Sequence, residues 1–98
     1  MHNQTFYKIQ HLETALYSKG GTDCIHEKSM YWSKEGKVWN NASSLRRHLA
    51  LYFLTEYRHY TEEQLKILQK WKVIEFKIRD SQLTINEFTT LDFYNKNI

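Results

Sequence analysis

The chain has 98 residues, of which 41% are hydrophobic and 26% are charged, a balance typical of one globular domain spanning residues 1–98 and not of a disordered protein. The net charge of +3 arises in residues 1–49, with seven Lys/Arg against four Asp/Glu, because residues 50–98 hold seven of each. This bias favours an anionic partner, but it is far weaker than the basic stripe of a dedicated DNA-binding protein.

Two features indicate the cellular compartment. The single cysteine, Cys24, excludes an intramolecular disulfide and is typical of a reducing environment. The first ten residues contain no apolar run, so the sequence predicts neither a signal peptide nor a membrane span there. We therefore expect a cytoplasmic protein with no membrane partner.

The first predicted strand covers residues 5–10. Its polar and apolar side chains alternate, which places Tyr7 and Ile9 on one face. Residues 15–18 are the predicted partner in a β-hairpin, and residues 19–23, with two glycines, predict a turn or loop.

A second hairpin is predicted from strands at residues 30–34 and 37–40. A two-residue turn would place Trp32 opposite Trp39, whereas a three-residue turn would pair Trp32 with the residue before Trp39. We favour the longer turn, with Gly36 left-handed, because serine and glycine then occupy the first and last positions of a type I turn. The register decides whether the two indoles share a face.

Two helices are predicted next. Asn41 or Ser43 can cap the first, which extends to about Tyr57 and carries an apolar stripe wide enough for burial on two sides. The second follows a capping box that begins at Thr61, and it extends to about Lys70.

Residues 72–79 show the clearest strand alternation, and the prediction turns three apolar side chains towards the core: Ile74, Phe76 and Ile78. Residues 81–98 are predicted to be a C-terminal tail or a short helix that begins near Thr84. Because the strands cluster before the helices, the expected fold is α+β. It has a small, mostly antiparallel sheet, made of two hairpins plus a C-terminal strand, packed against two helices.

Aromatic and basic side chains are concentrated between residues 31 and 47. Tyr, Trp and Arg dominate protein–protein hot spots, while aromatic rings and cations also bind nucleic acid. The alternative is that both indoles belong to the core and the cations are merely solvated. The predicted binding surface consists of Tyr31, Trp32, Lys34, Lys37, Trp39, Arg46 and Arg47.

The position of Arg46 and Arg47 supports an anionic partner. Both fall in the first turn of the predicted helix, near the positive end of its dipole, which costs a few tenths of a kcal/mol for each. An acidic partner would compensate this cost. His48, beside the apolar stripe, is interpreted as a structural histidine at the edge of the core.

No catalytic or cofactor motif is apparent. Cys24 and His26 have a metal-like spacing, but no second ligand pair follows, so a buried thiol and a surface histidine are favoured over a metal site. Phosphate-binding loops, paired carboxylates and Ser-His-Asp patterns are also not seen. The sequence therefore predicts a non-enzymatic protein without a cofactor.

Five segments of the chain form a series with a recognisable pattern: Tyr7-Lys-Ile9, Tyr17-Ser-Lys-Gly-Gly21, Trp32-Ser-Lys-Glu-Gly-Lys37-Val-Trp39, Leu45-Arg-Arg-His-Leu49 and Val73-Ile-Glu-Phe76. With this series the chain resembles a group of small proteins from tailed bacteriophages. The resemblance covers residues 6–78, and the chain departs from it after Arg79. The family has no assigned activity, so no functional residue is carried over.

The resemblance implies a context in which short early proteins bind a host protein and inhibit or redirect it, including components of host defence. The first hypothesis is accordingly a protein that binds a host protein through the aromatic and basic surface. The alternatives are a nucleic-acid-binding accessory protein that uses the same surface, and a small metal-dependent enzyme. The oligomeric state is not predicted.

Overall fold

A computed structural model describes residues 3–20, 29–52 and 62–96. Antiparallel strands and three α-helices make up most of the described chain, and the α+β fold class is confirmed. In chain order the elements are β1 (Gln4–His11), β2 (Tyr17–Ser18), a 3₁₀ turn (Ser29–Tyr31), β3 (Trp32–Ser33), α1 (Ala42–Tyr52), α2 (Glu62–Gln69), β4 (Trp71–Arg79), β5 (Gln82–Thr89) and α3 (Thr90–Lys96).

The strands form one sheet in the order β3-β2-β1-β4-β5. β1 pairs with β4 along its whole length, from Gln4↔Ile78 to His11↔Trp71. On its other side β1 meets β2 at Gln10, which confirms the first predicted hairpin. The long strands β1 and β4 therefore form the centre of the sheet, and β5 lies at one edge.

All three α-helices pack on one face of the sheet, the core face. Residues that lie directly opposite each other in an antiparallel pair share a face, so Ile9 and Val73 point the same way. The core joins these two side chains to residues from every α-helix, and its buried members include Tyr7, Leu45, Leu49, Leu68, Trp71 and Phe93.

The predicted orientation of β4 is wrong. Trp71 and Val73 occupy the core face, so the alternation turns Ile74, Phe76 and Ile78 to the opposite face, where Ile74 is nevertheless buried (3% exposed). Glu75 then lies opposite Tyr7 on the core side.

Glu75 is held there by neighbouring polar groups. The Asn86 amide donates a hydrogen bond to the Glu75 carboxylate at 3.1 Å, and the Lys77 ammonium lies 3.5 Å from the same carboxylate oxygen. Burial and the adjacent Glu75 raise the pKa of Tyr7 above its ordinary value.

The second predicted hairpin does not form. β3 pairs with β2 through Ser18↔Trp32, whereas Trp39 exchanges backbone hydrogen bonds of 2.8 and 2.9 Å with Tyr7 of β1. The short strand β2 leaves this part of the β1 edge open, and Trp39 fills it. Gly36 is left-handed as predicted (φ 66°), and its N–H donates to the Ser33 hydroxyl at 2.7 Å.

α1 begins where one of the two predicted caps lies. The Asn41 side-chain oxygen accepts a hydrogen bond from the Ser44 N–H at 2.8 Å, so Asn41 is the N-cap. Because the helix therefore starts at Ala42, Arg46 and Arg47 lie in its second turn and not, as predicted, in the first. Helix α1 is described to Tyr52, and its predicted continuation to about Tyr57 lies outside the described residues, as does the capping box at Thr61.

The predicted C-terminal tail is instead a strand followed by a helix. Asp80 and Ser81 both have positive φ angles (52° and 67°), as a tight two-residue hairpin turn requires, and they connect β4 to β5. Pairing with β4 along residues 82–89 outweighs the local capping signal at Thr84. The cap lies five residues later, where the Thr89 hydroxyl accepts the Asp92 N–H at 3.1 Å at the start of α3.

Candidate functional site

Both tryptophans of the predicted binding surface belong to the core. Trp32 is 5% exposed and meets Trp71 edge-on at 5.2 Å, and Trp39 is 4% exposed with its ring 5.1 Å from that of His48. Their inclusion in the binding surface is therefore corrected, because a buried indole offers no face to a partner. Their size fills the space between the sheet and α1.

Two further members of that surface are occupied by contacts within the chain. The Arg46 guanidinium carbon lies 4.5 Å above the Tyr94 ring, and its Nε donates to the Tyr94 carbonyl at 3.4 Å, which ties α1 to α3. Tyr31 is half-buried against the core. Of the seven predicted residues, the exposed ones are Lys34, Lys37 and Arg47.

Lys37 and Arg47 lie together in a shallow pocket of about 440 Å³, the α1 pocket. The pocket is located at the N-terminal end of α1. No carboxylate is among its lining residues, and no acidic residue occupies the first turn of that helix. The lining consists of Gly20, Lys37, Val38, Trp39, Asn40, Asn41, Ser44, Arg47 and His48.

Local chain geometry determines the shape of this pocket. Gly20 is left-handed (φ 71°), and a Cβ at this position would lie 2.5 Å from Lys37 Cδ and 3.0 Å from Trp39 Cζ2. The close approach lets the Lys37 ammonium lie 5.2 Å from the centre of the Trp39 ring, in a cation–π contact. A buried indole therefore positions one of the two cations.

His48 forms the inner wall of the α1 pocket. Its side chain is 7% exposed, and burial first, then the charge of Lys37, lowers its pKa from 6.5 to about 4. The imidazole is therefore neutral at pH 7. The positive potential of the pocket at that pH comes from Lys37, Arg47 and the end of the helix dipole.

The arrangement is suited to binding an anionic group. A carboxylate or phosphate in the α1 pocket would meet two cations and the positive end of a helix, and no fixed negative charge in the lining opposes it. The sequence predicted the two cations and the Asn41 cap. It did not predict Gly20, because pairing between segments distant in sequence brings this residue to the site.

The metal alternative has no support among the described residues. They contain no group of three or more His, Cys, Asp or Glu side chains able to hold a metal ion. Cys24 and His26, which carried that hypothesis, lie outside the described residues.

Within residues 3–20, 29–52 and 62–96, no helix is long and apolar enough to cross a membrane.

The chain matches no protein-family profile, no curated protein and no solved structure. Its function is therefore inferred from the geometry of its own residues.

Proposed function

We propose that this protein is a non-enzymatic binding protein that recognises an acidic surface on another protein. The observation that supports this proposal most directly is the α1 pocket, where Lys37 and Arg47 flank a helix N-terminus and no carboxylate lines the walls. Binding an acidic side chain of a partner would neutralise cations that nothing in the pocket lining neutralises. Lys34 is exposed on the same connecting segment but lies outside the pocket lining.

The resemblance to small bacteriophage proteins supplies the biological context of the proposal. In that context the partner is a bacterial host protein, including a component of host defence, which the protein inhibits or redirects by stoichiometric contact. A protein of this kind needs a complementary surface and no catalytic residues.

The burial of the tryptophans favours a protein partner over nucleic acid. Single-stranded nucleic acid is bound by exposed aromatic rings that stack on bases, in addition to cations that neutralise phosphates. Trp32 and Trp39 cannot stack on a base from inside the core. The α1 pocket retains only the electrostatic half of such a surface.

The test is an affinity capture from bacterial lysate that compares charge-reversed variants. We expect the tagged wild-type protein to retain one stoichiometric host protein after nuclease treatment. We expect Lys37→Glu and Arg47→Glu to lose it, because each turns attraction into repulsion. Arg79→Glu is the matched control, since Arg79 is exposed at the end of β4 and lies outside the pocket lining.

Circular dichroism and thermal melts of each variant establish that the fold is intact. Capture that is equal for wild type and both pocket variants would refute the proposal. Capture of nucleic acid that nuclease or high salt abolishes would instead support the nucleic-acid alternative, because phosphate contacts release counterions and depend steeply on salt.

A further inference from the structure

The face of the sheet opposite the α-helices, the outer face, is apolar at its centre. Phe6 of β1, Phe76 of β4 and Ile85 of β5 lie directly opposite one another in successive strands and form a row across the sheet. The two phenyl rings are stacked, with centroids 4.9 Å apart and planes at 11°. The β5 end of this row is open, because Ile85 is 53% exposed and its neighbour Leu83 is 57% exposed.

The row ends at an unprotected strand edge. β5 spans Gln82–Thr89 and pairs with β4 on one side, and within the described chain no strand pairs with its other side. Every second residue of an antiparallel strand directs its N–H and C=O to that open side. Natural edges are usually protected by lysine, proline or a bulge, but β5 contains neither lysine nor proline, and its pairing with β4 runs without interruption.

We propose that β5 pairs with β5 of a second copy of this chain, which joins the two sheets into one continuous antiparallel sheet. The inference is independent of the proposed function, because it uses a different surface. A two-fold axis at Ile85 places Ile85 opposite its own copy and pairs residues 82–88 of both chains. The row Phe6–Phe76–Ile85 then continues into its copy and becomes six apolar residues long.

The geometry of pairing favours this register. When two copies of one strand pair in antiparallel fashion, the same face of both copies lies on one side of the sheet only if opposite residues both have odd or both have even numbers, because side chains alternate along each strand. Pairing about Ile85 keeps the two outer faces on the same side and brings Leu83 diagonal to Ile85 of the second copy. Each exposed aliphatic side chain thereby gains an apolar neighbour on the second copy.

The charge distribution also suits contact between two copies. Two chains with a net charge of +3 each repel one another unless they meet where charge is low. β5 carries one charged residue, Glu87, and the Lys72 ammonium already binds its carboxylate at 2.7 Å. In the proposed register each Glu87 faces Leu83 of the second copy, so no like charges are opposed.

The proposal is tested first by the oligomeric state. Sedimentation of the wild-type protein at increasing micromolar concentration is expected to approach twice the 12.0 kDa mass of one chain. Ile85→Lys is expected to halve the observed mass, because a lysine at the two-fold axis meets its own copy. Met30→Lys is the matched control, since Met30 is 61% exposed and lies outside the sheet, and it should leave the dimer intact.

The register is tested by cysteine cross-linking in a Cys24→Ser background. Ile85→Cys is expected to oxidise rapidly to a covalent dimer, since residues opposite each other have Cβ atoms about 5 Å apart. Leu83→Cys, equally exposed, should not, because four residues of strand separate it from its copy by about 14 Å.

Several outcomes would overturn the proposal. A wild-type protein that stays monomeric at high micromolar concentration would do so, as would an Ile85→Lys variant that still forms a dimer. Equal cross-linking at positions 83 and 85 would exclude the two-fold pairing at Ile85. If the wild-type protein is monomeric and binds a labelled single-stranded oligonucleotide, and Ile85→Lys changes that binding, the outer face would be assigned to nucleic acid instead.

Discussion

Acidification should destabilise the fold through His48. The unfolded chain protonates this imidazole near pH 6.5, whereas the folded chain resists protonation until about pH 4, because the side chain is buried and Lys37 is close. The stabilisation that comes from the neutral imidazole is therefore complete above pH 6.5. It is lost progressively as the pH falls towards 4.

The size of the loss follows from the two pKa values. At pH 5 the unfolded imidazole is almost fully protonated and the folded one is mostly neutral, so His48 makes the free energy of unfolding about 2 kcal/mol lower than at pH 7. Below pH 4 the loss reaches about 3 kcal/mol. This is a large part of the 5–15 kcal/mol that is typical of small domains.

Urea unfolding at pH 7, 6 and 5 measures this contribution when wild type is compared with His48→Gln. Carboxylates and the other histidines titrate in both proteins, so the difference between them isolates His48. Between pH 7 and pH 5, we expect the free energy of unfolding of the variant to fall by about 2 kcal/mol less than that of wild type. Lys37→Gln should also reduce the loss, by a smaller amount. Equal losses in wild type and His48→Gln would refute the assignment of a buried neutral imidazole.

Substitutions at three further residues, Gly36, Asn41 and Thr90, test how the chain is held together, with Gly20 as a comparison for Gly36. Gly36→Ala should lower the free energy of unfolding by at least about 1–2 kcal/mol, which is the penalty of a left-handed backbone. The added Cβ would also overlap Tyr17 and raise the penalty further. Gly20→Ala should cost less, since the nearest atom there belongs to a flexible side chain, and chemical denaturation of both variants will show the order. Asn41→Ala removes the cap of α1 and should lower stability by about 1 kcal/mol, whereas Asn41→Ser should restore it. Thr90→Val keeps the shape but removes a buried hydroxyl that lies 3.2 Å from two backbone carbonyls, and a loss of about 1–2 kcal/mol in thermal melts is expected. Wild-type stability in any of the three would contradict the corresponding contact.

Local patterns in the sequence predicted the class of fold and the individual elements, but not how the elements meet. The alternation around Tyr7 and Ile9 identified β1, and the polar residues before Ala42 identified the start of α1. Alternation gives the period of a strand but not which set of side chains is buried. In β4 the core-facing set starts with Trp71 and Val73 and continues with charged residues, and the prediction began at Lys72, one residue after the tryptophan that marks the core side.

The remaining errors have the same cause. The segment that contains Trp39 looked like the hairpin partner of the segment that contains Trp32 because the two are close in sequence, yet the open edge of β1 lies next to Trp39 in the fold. β5 looked like the start of a helix because a capping signal is local, whereas eight pairings with β4 are not visible in a single segment. For the same reason only part of the α1 pocket was predicted. Its two cations, Lys37 and Arg47, belong to one segment of the sequence, whereas Gly20 comes from a separate segment that the fold brings to the pocket.

The arrangement of β4 is itself an argument that the outer face has a partner. A strand selected for folding alone would turn Ile74 and Phe76 inward and Glu75 outward, as the sequence prediction assumed. This chain does the reverse, so Glu75 needs Asn86 to satisfy it on the core side, while Phe76 leads to an exposed row on the other. Large apolar side chains on both faces of a strand are typical of a sheet covered on both sides, and β4 has them on both faces although the described α-helices cover one. Conflicts of this kind between local pattern and fold concentrate at functional surfaces, and pairing through β5 would place Ile85, the exposed end of the apolar row, against its own copy.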